Sequence, residues 1–144
     1  MPSRTRRHPS EHAVRDLALA YPETQESFPW PNHRAIKVRG KAFVIMSADE
    51  PELRLSVKLP WSAEGVLQLP SCEPTGYGLG RSGWVTATYG ARQRPPLDAI
   101  RSWIDESYRA IAPKRIVARL DAASAGAPKK RATAPARARR PARP

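Results

Sequence analysis

Polar and apolar positions alternate most clearly in "ELRLSVKL", where Leu53, Leu55, Val57 and Leu59 share one side and Arg54, Ser56 and Lys58 the other. A period of two over this length predicts a half-buried strand. "RAIKVRGKAFVIMS" predicts a hairpin: Ile36 and Val38 alternate with Lys37 and Arg39, Gly40 makes the turn, and Phe43 and Ile45 resume the apolar face. "GWVTATYG" predicts a last strand from Trp84, with Thr86 and Thr88 outward. The period lengthens at both ends of the chain. Ser10 starts a helix with Val14, Leu17 and Tyr21 on one face, closed by Pro22. Pro96 opens a longer one with the stripe Leu97, Ile100, Trp103, Ile104, Tyr108 and Ile111; Pro113 interrupts it before a turn or two in "KRIVARL". A short helix is expected within Ser62–Leu69, "LPSCEPTGY" reads as a Pro-rich loop, and His33 is placed in a loop after "WPN".

The connections between strands are too short for parallel crossovers, so the sheet should be antiparallel. The fold class is α+β, with N- and C-terminal helices packed on one face of the sheet and a disordered basic C-terminal tail. The expected organisation is a flexible basic arm over residues 1–9, one domain over 10–120, and the tail over 121–144. In "DAASAGAPKKRATAPARARRPARP" there is no large apolar side chain whose burial would offset the entropy of ordering it.

Charge sharpens this division. Of a net +12 over 144 residues, the first nine contribute Arg4, Arg6 and Arg7 with no acid. The tail sets seven basic residues against Asp121 alone. The single cysteine, Cys72, excludes an intrachain disulfide and has no Cys or His at metal-ligand spacing. No apolar run is long enough for a membrane span, and the basic start lacks the apolar segment of a signal peptide, so a cytoplasmic protein is expected.

"GLGRSG", Gly78 to Gly83, matches the glycine fingerprint of dinucleotide-binding enzymes. That chemistry requires a strand before the glycines and a helix after them, so that a pyrophosphate meets the helix N-terminus. Here a Pro-rich loop precedes and a strand follows, so the glycines are expected to supply positive-φ turns instead. No cofactor is expected.

From about Ala13 to Leu120 the chain carries, in order, "YPETQESFPW" (Pro22, Glu26, Trp30), "IKVRGKAF" (Lys37, Gly40, Lys41, Phe43), "GLGRSGWV" (Gly80, Gly83, Trp84) and "DESYRAIAPKR" (Ser107, Tyr108, Lys114). On these motifs the body resembles the MmcQ/YjbR family. It implies a frataxin-like, or CyaY-like, fold and a DNA-binding role. Many members carry a histidine directly before the tryptophan, where this chain has Gly83, so any role of that histidine has no counterpart here. Frataxin-type iron binding needs clustered carboxylates, and the first helix offers only Glu11 and Asp16. No metal site is expected.

Two surfaces are candidates for nucleic acid. One is the tail, with Lys129, Lys130, Arg131, Arg137, Arg139, Arg140 and Arg143. The other is the outward sheet face and its surroundings: Lys37, Arg39, Lys41, Arg54 and Lys58, Trp84 as a stacking ring, and Arg81, Arg92 and Arg94 flanking the last strand. The expected function is non-enzymatic and largely sequence-nonspecific DNA binding, nucleoid-associated, with RNA as an open alternative polymer. The competing reading is a protein- or small-ligand-binding module whose site is the concavity between the sheet and "ESFPWPNH", with the tail as an accessory. For catalysis, His12, His33, Cys72 and Tyr77 have no partner at a recognisable spacing.

Overall fold

In the computed structural model, residues 7–76 and 78–125 are described. "ELRLSVKL" folds as strand β4 (Leu53–Lys58), with Leu53, Leu55, Val57 and Leu59 buried as the alternation requires. It lies within a six-stranded antiparallel sheet with β1 (Thr24–Trp30), β2 (His33–Val38), β3 (Lys41–Ser47), β5 (Cys72–Pro74) and β6 (Trp84–Tyr89), in the order β1-β2-β3-β4-β6-β5. Helices α1 (Glu11–Leu19) and α3 (Leu97–Ile111) pack on one face, α3 across β3 and β4 and α1 beside it over β1 and β2. The short α2 (Ala63–Val66) joins β4 to β5.

Each turn has a local cause. Arg39 and Gly40 join β2 to β3 with φ of 51° and 84°, the pair of positive values that a two-residue hairpin turn needs. Pro31 and Asn32 join β1 to β2, with Asn32 at a φ of 63°. The glycines of "GLGRSG" provide turns, as expected: Gly78 and Gly83 have φ of 78° and 90°, they flank a 3₁₀ turn (Leu79–Ser82), and the chain leaves that turn into β6. No helix follows them, so no helix N-terminus is presented to a pyrophosphate.

Several expectations are corrected. His33, expected in a loop after "WPN", opens β2, and the chain before it forms β1, where Pro29 is tolerated because an edge strand is paired on one side only. "LPSCEPTGY" contains the other edge strand, β5. Phe43 and Ile45 do not share a face. The β2–β3 register shifts between Ile36 and Lys37, whose partners are Val44 and Ala42, so Phe43 is an extra residue turned toward the helices and Ile45 faces the other way. Ser107 on α3 repairs the disruption: its hydroxyl donates to the Phe43 carbonyl at 2.6 Å and accepts from the Lys58 N–H at 2.9 Å.

The arm drawn over residues 1–9 is anchored at its end. His8 is only 2% exposed. Its Nε2–H donates to the carbonyls of Gly90 and Gln93, both at 3.1 Å, while Nδ1 accepts from the Ser10 N–H at 3.0 Å. Ser10 does occupy the N-cap position of α1, but its side chain makes no capping bond. Lastly, a boundary at Leu120 cuts a helix. The chain divides into a unit ending at Ala112 and a second beginning at Pro113, and the second contains α4 (Lys114–Ala125), longer than the turn or two expected. Residues 1–6 and 126–144 lie outside the described residues, and with them the tail cations.

Candidate functional site

The antiparallel register carries one row of side chains across all six strands: Ser27, Ala35, Ile45, Ser56, Thr86 and Glu73. Adjacent strand positions turn to opposite faces. Ile36, Val44, Val57 and Val85 in the neighbouring row are buried on the helix side, so the Ser27–Glu73 row belongs to the open face. The segment following β5 returns over part of that face and makes a cleft of about 280 Å³. Ile45, Ser56 and Thr86 line it from the sheet, Trp30 and His33 from the β1–β2 corner, and Thr75 and Leu79 from the returning segment.

Hydroxyls dominate the polar part of this cleft. Ser56 Oγ and Thr86 Oγ1 are 2.8 Å apart, and Thr75 Oγ1 is 2.9 Å from Thr86 Oγ1. Two internal bonds occupy two of the three hydroxyl protons and leave the third, with spare lone pairs, for an outside partner. Trp30 is 60% exposed and meets the His33 ring edge-on at 5.8 Å. The His33 Nδ1–H donates to the Pro31 carbonyl at 2.9 Å, which leaves Nε2 as the acceptor of the neutral ring.

The cations expected on the body fall into two groups. Toward the end of the sheet that carries the Arg39-Gly40 turn lie Lys37, Arg39, Lys41 and Lys58, with Arg81 in the 3₁₀ turn that precedes β6. Lys37 and Lys58 are on the open face, Lys58 directly opposite Trp84. Arg92 and Arg94 lie beyond the other end, beside a shallow depression of about 440 Å³ that also touches His8. Two of the set are engaged: Arg39 pairs with Glu23 at 3.3 Å and Arg54 with Glu52 at 2.5 Å. Lys37, Lys41, Lys58 and Arg81 have no ion pair among the described residues. Trp84 is 9% exposed and so has little ring surface for a base. The exposed tryptophan of this face is Trp30, at the end of β1, in a stretch to which the sequence pattern assigned no element. Lys129, Lys130, Arg131, Arg137, Arg139, Arg140 and Arg143 are outside the described residues.

From residue 7 to residue 112, thirteen Lys and Arg face twelve Asp and Glu, so this part of the chain is close to neutral. The acids of α1 are occupied: Glu11 is buried against Arg34, and Asp16 pairs with Arg15. Among the described residues no three His, Cys, Asp or Glu side chains gather as a metal site. Burial pushes the Cys72 thiol above its ordinary pKa. Also among the described residues, no helix is long and apolar enough to cross a membrane.

Comparison with known proteins agrees with the motif resemblance. Solved structures share the fold. A Deinococcus radiodurans protein, DR2400, with a domain described as DUF419, is 23% identical, with a TM-score of 0.58 over 74% of this chain and 79% of its own. A Pseudomonas syringae protein is 16% identical, with a TM-score of 0.55 over 69% of this chain and 97% of its own. No curated protein matches. The model of the family described as YjbR matches residues 19–110, which span every strand and nearly all of α3. The chain belongs to the YjbR family.

Proposed function

We propose that this protein binds DNA without catalysing a reaction on it, the open sheet face docking the body and the basic residues past α4 supplying most of the affinity. The segregation of charge carries this reading. The body is nearly neutral, whereas residues 121–144 set seven cations against one acid. Neutralising phosphates releases condensed counterions, and such contacts are blind to sequence. On the body, the unengaged Lys37, Lys41, Lys58 and Arg81 lie toward one end of the sheet and give the polymer a side from which to approach. A cytoplasmic, nucleoid-associated protein follows from this reading, and RNA would satisfy the same phosphate contacts.

The test is a duplex-binding titration over a salt series. Neutralising about five to seven phosphates makes log K fall against log salt with a slope of about −4 to −6. A flat response overturns the proposal. A version ending at Ala125, which keeps α4 whole, should lose most of the affinity; full retention would move the site onto the body.

The cleft favours a second reading, a module that binds a protein segment or small ligand through the open face. Binding of such a ligand by the version ending at Ala125, with no retardation of DNA by the intact chain, would establish it in place of the first.

A further inference from the structure

The cleft on the open face has properties that phosphate contacts alone do not require. Its volume of about 280 Å³ is at the small end for ligand sites and suits one ring system. Its sides are apolar, with the exposed Trp30 ring on one and Leu79 on the other, and Ile45 lies on the floor. Its polar groups are mostly neutral: the Ser56–Thr86–Thr75 hydroxyls can donate or accept, and His33 Nε2 accepts. Arg54, the one charged side chain lining it, is already paired with Glu52. A carboxylate or amine would therefore find no free opposite charge there. A flat neutral heterocycle with mixed donors and acceptors on its edge matches each of these features.

The surroundings supply the opposite character. Lys58 lies two positions beyond Ser56 along β4, on the same face and about 7 Å away. That span is comparable to the separation of a nucleobase from its own phosphate. Lys37 shares the face toward the same end of the sheet. An apolar slot edged by hydroxyls, with the unengaged Lys58 about 7 Å away, is complementary to a single nucleotide unit.

We infer that the cleft takes one unpaired nucleobase, stacked against Trp30 with its edge on the Ser56–Thr86–Thr75 hydroxyls and its phosphate toward Lys58. The inference rests on the proposed nucleic-acid binding and narrows it to a polymer with unstacked bases. In a duplex, pairing and stacking keep the base edges and faces away from such a slot. The protein therefore prefers single strands to duplex of the same length.

The experiment is an anisotropy titration of the intact chain with a labelled single-stranded oligonucleotide of mixed sequence and with its duplex, at one salt concentration. Wild type binds the single strand more tightly. Trp30→Ala weakens single-strand binding about tenfold, the size of one lost base-stacking contact, and leaves duplex affinity unchanged. Lys58→Gln lowers the salt slope for the single strand by about 0.7, the share of one phosphate. Trp30 is exposed, so its replacement leaves the fold intact, and the thermal transition of the variant checks this. Equal affinity of wild type for both forms, or a Trp30→Ala variant that loses neither or both alike, overturns the inference and leaves DNA binding standing. Binding of neither form at low salt overturns both.

Discussion

The guanidinium of Arg34 donates through Nη1 to Glu11 Oε2 at 2.6 Å, with the two side chains only 6% and 1% exposed. The pair ties α1 to β2. Arg34 Nε donates in addition to Glu26 on β1 at 2.6 Å, and Glu11 Oε1 accepts the Asp49 N–H at 3.0 Å. Removing one partner leaves a buried charge short of compensation, which costs far more than the net worth of the pair. Glu11→Gln is expected to destabilise the fold by about 3 kcal/mol. Urea denaturation measures it, and a loss below about 0.5 kcal/mol, the level of a surface pair, would contradict it.

Ser107→Ala should also be costly, although it removes a single oxygen. Both the Phe43 carbonyl and the Lys58 N–H depend on that hydroxyl, and the site is fully buried. An unsatisfied buried polar group costs about 1–3 kcal/mol. The shift in urea denaturation reads this cost, and a loss below about 0.5 kcal/mol would contradict the role of the hydroxyl.

Gly83→Ala combines two penalties. Its φ of 90° disfavours any Cβ, and one placed there would lie 3.3 Å from Pro60 Cα and 3.4 Å from the Leu59 carbonyl. A loss of about 2 kcal/mol is expected. Gly40→Ala provides the contrast, because it has a similar φ but open space around the added atom, and it should cost less. Thermal denaturation of the two variants ranks them.

Two tyrosines link stability to alkaline pH. Burial, and then the nearby Cys72, push Tyr89 up to about 12. Tyr21 moves the same way through burial and its hydrogen bond to Asp105. An unfolded tyrosine ionises near pH 10. Above that pH the unfolded chain binds fewer protons than the folded one, so stability present below pH 10 is lost as pH rises toward 12. Tyr89→Phe should flatten that decline in denaturation midpoints measured from pH 8 to 12.

Cys72 should be sluggish toward thiol reagents at neutral pH. Its raised pKa keeps the reactive thiolate scarce. Alkylation of the native protein should run slower than that of the denatured chain, and an equal or faster rate would contradict the burial effect.

How much could be read from the sequence depended on how local each cause was. β4 was legible because each of its side chains answers to one buried face. The turns at Gly40 and Gly83 were legible because only positive φ makes sense of a glycine there. β1 was hidden: an edge strand with one partner tolerates Pro29 and polar residues, and neither signals pairing. The extra residue at Phe43 leaves no mark in an alternation pattern, so Ile45 was assigned to the wrong face, and with it part of the cleft floor. The cleft depends on Thr75 and Leu79 meeting residues between Trp30 and Ser56 across the sheet, a long-range approach that no window of sequence contains. Trp84 and Trp30 look alike as residue types, and only packing decides which ring remains outside.

The histidine at position 8 sets a practical limit on shortening the protein from its front. A version starting at Ser10 would retain every helix and strand of the described residues yet leave the Gly90 and Gln93 carbonyls and the Glu11 N–H without their His8 partners. The loop leading into α3 would then lose its clasp, and fusions or affinity tags are better joined upstream of Arg7.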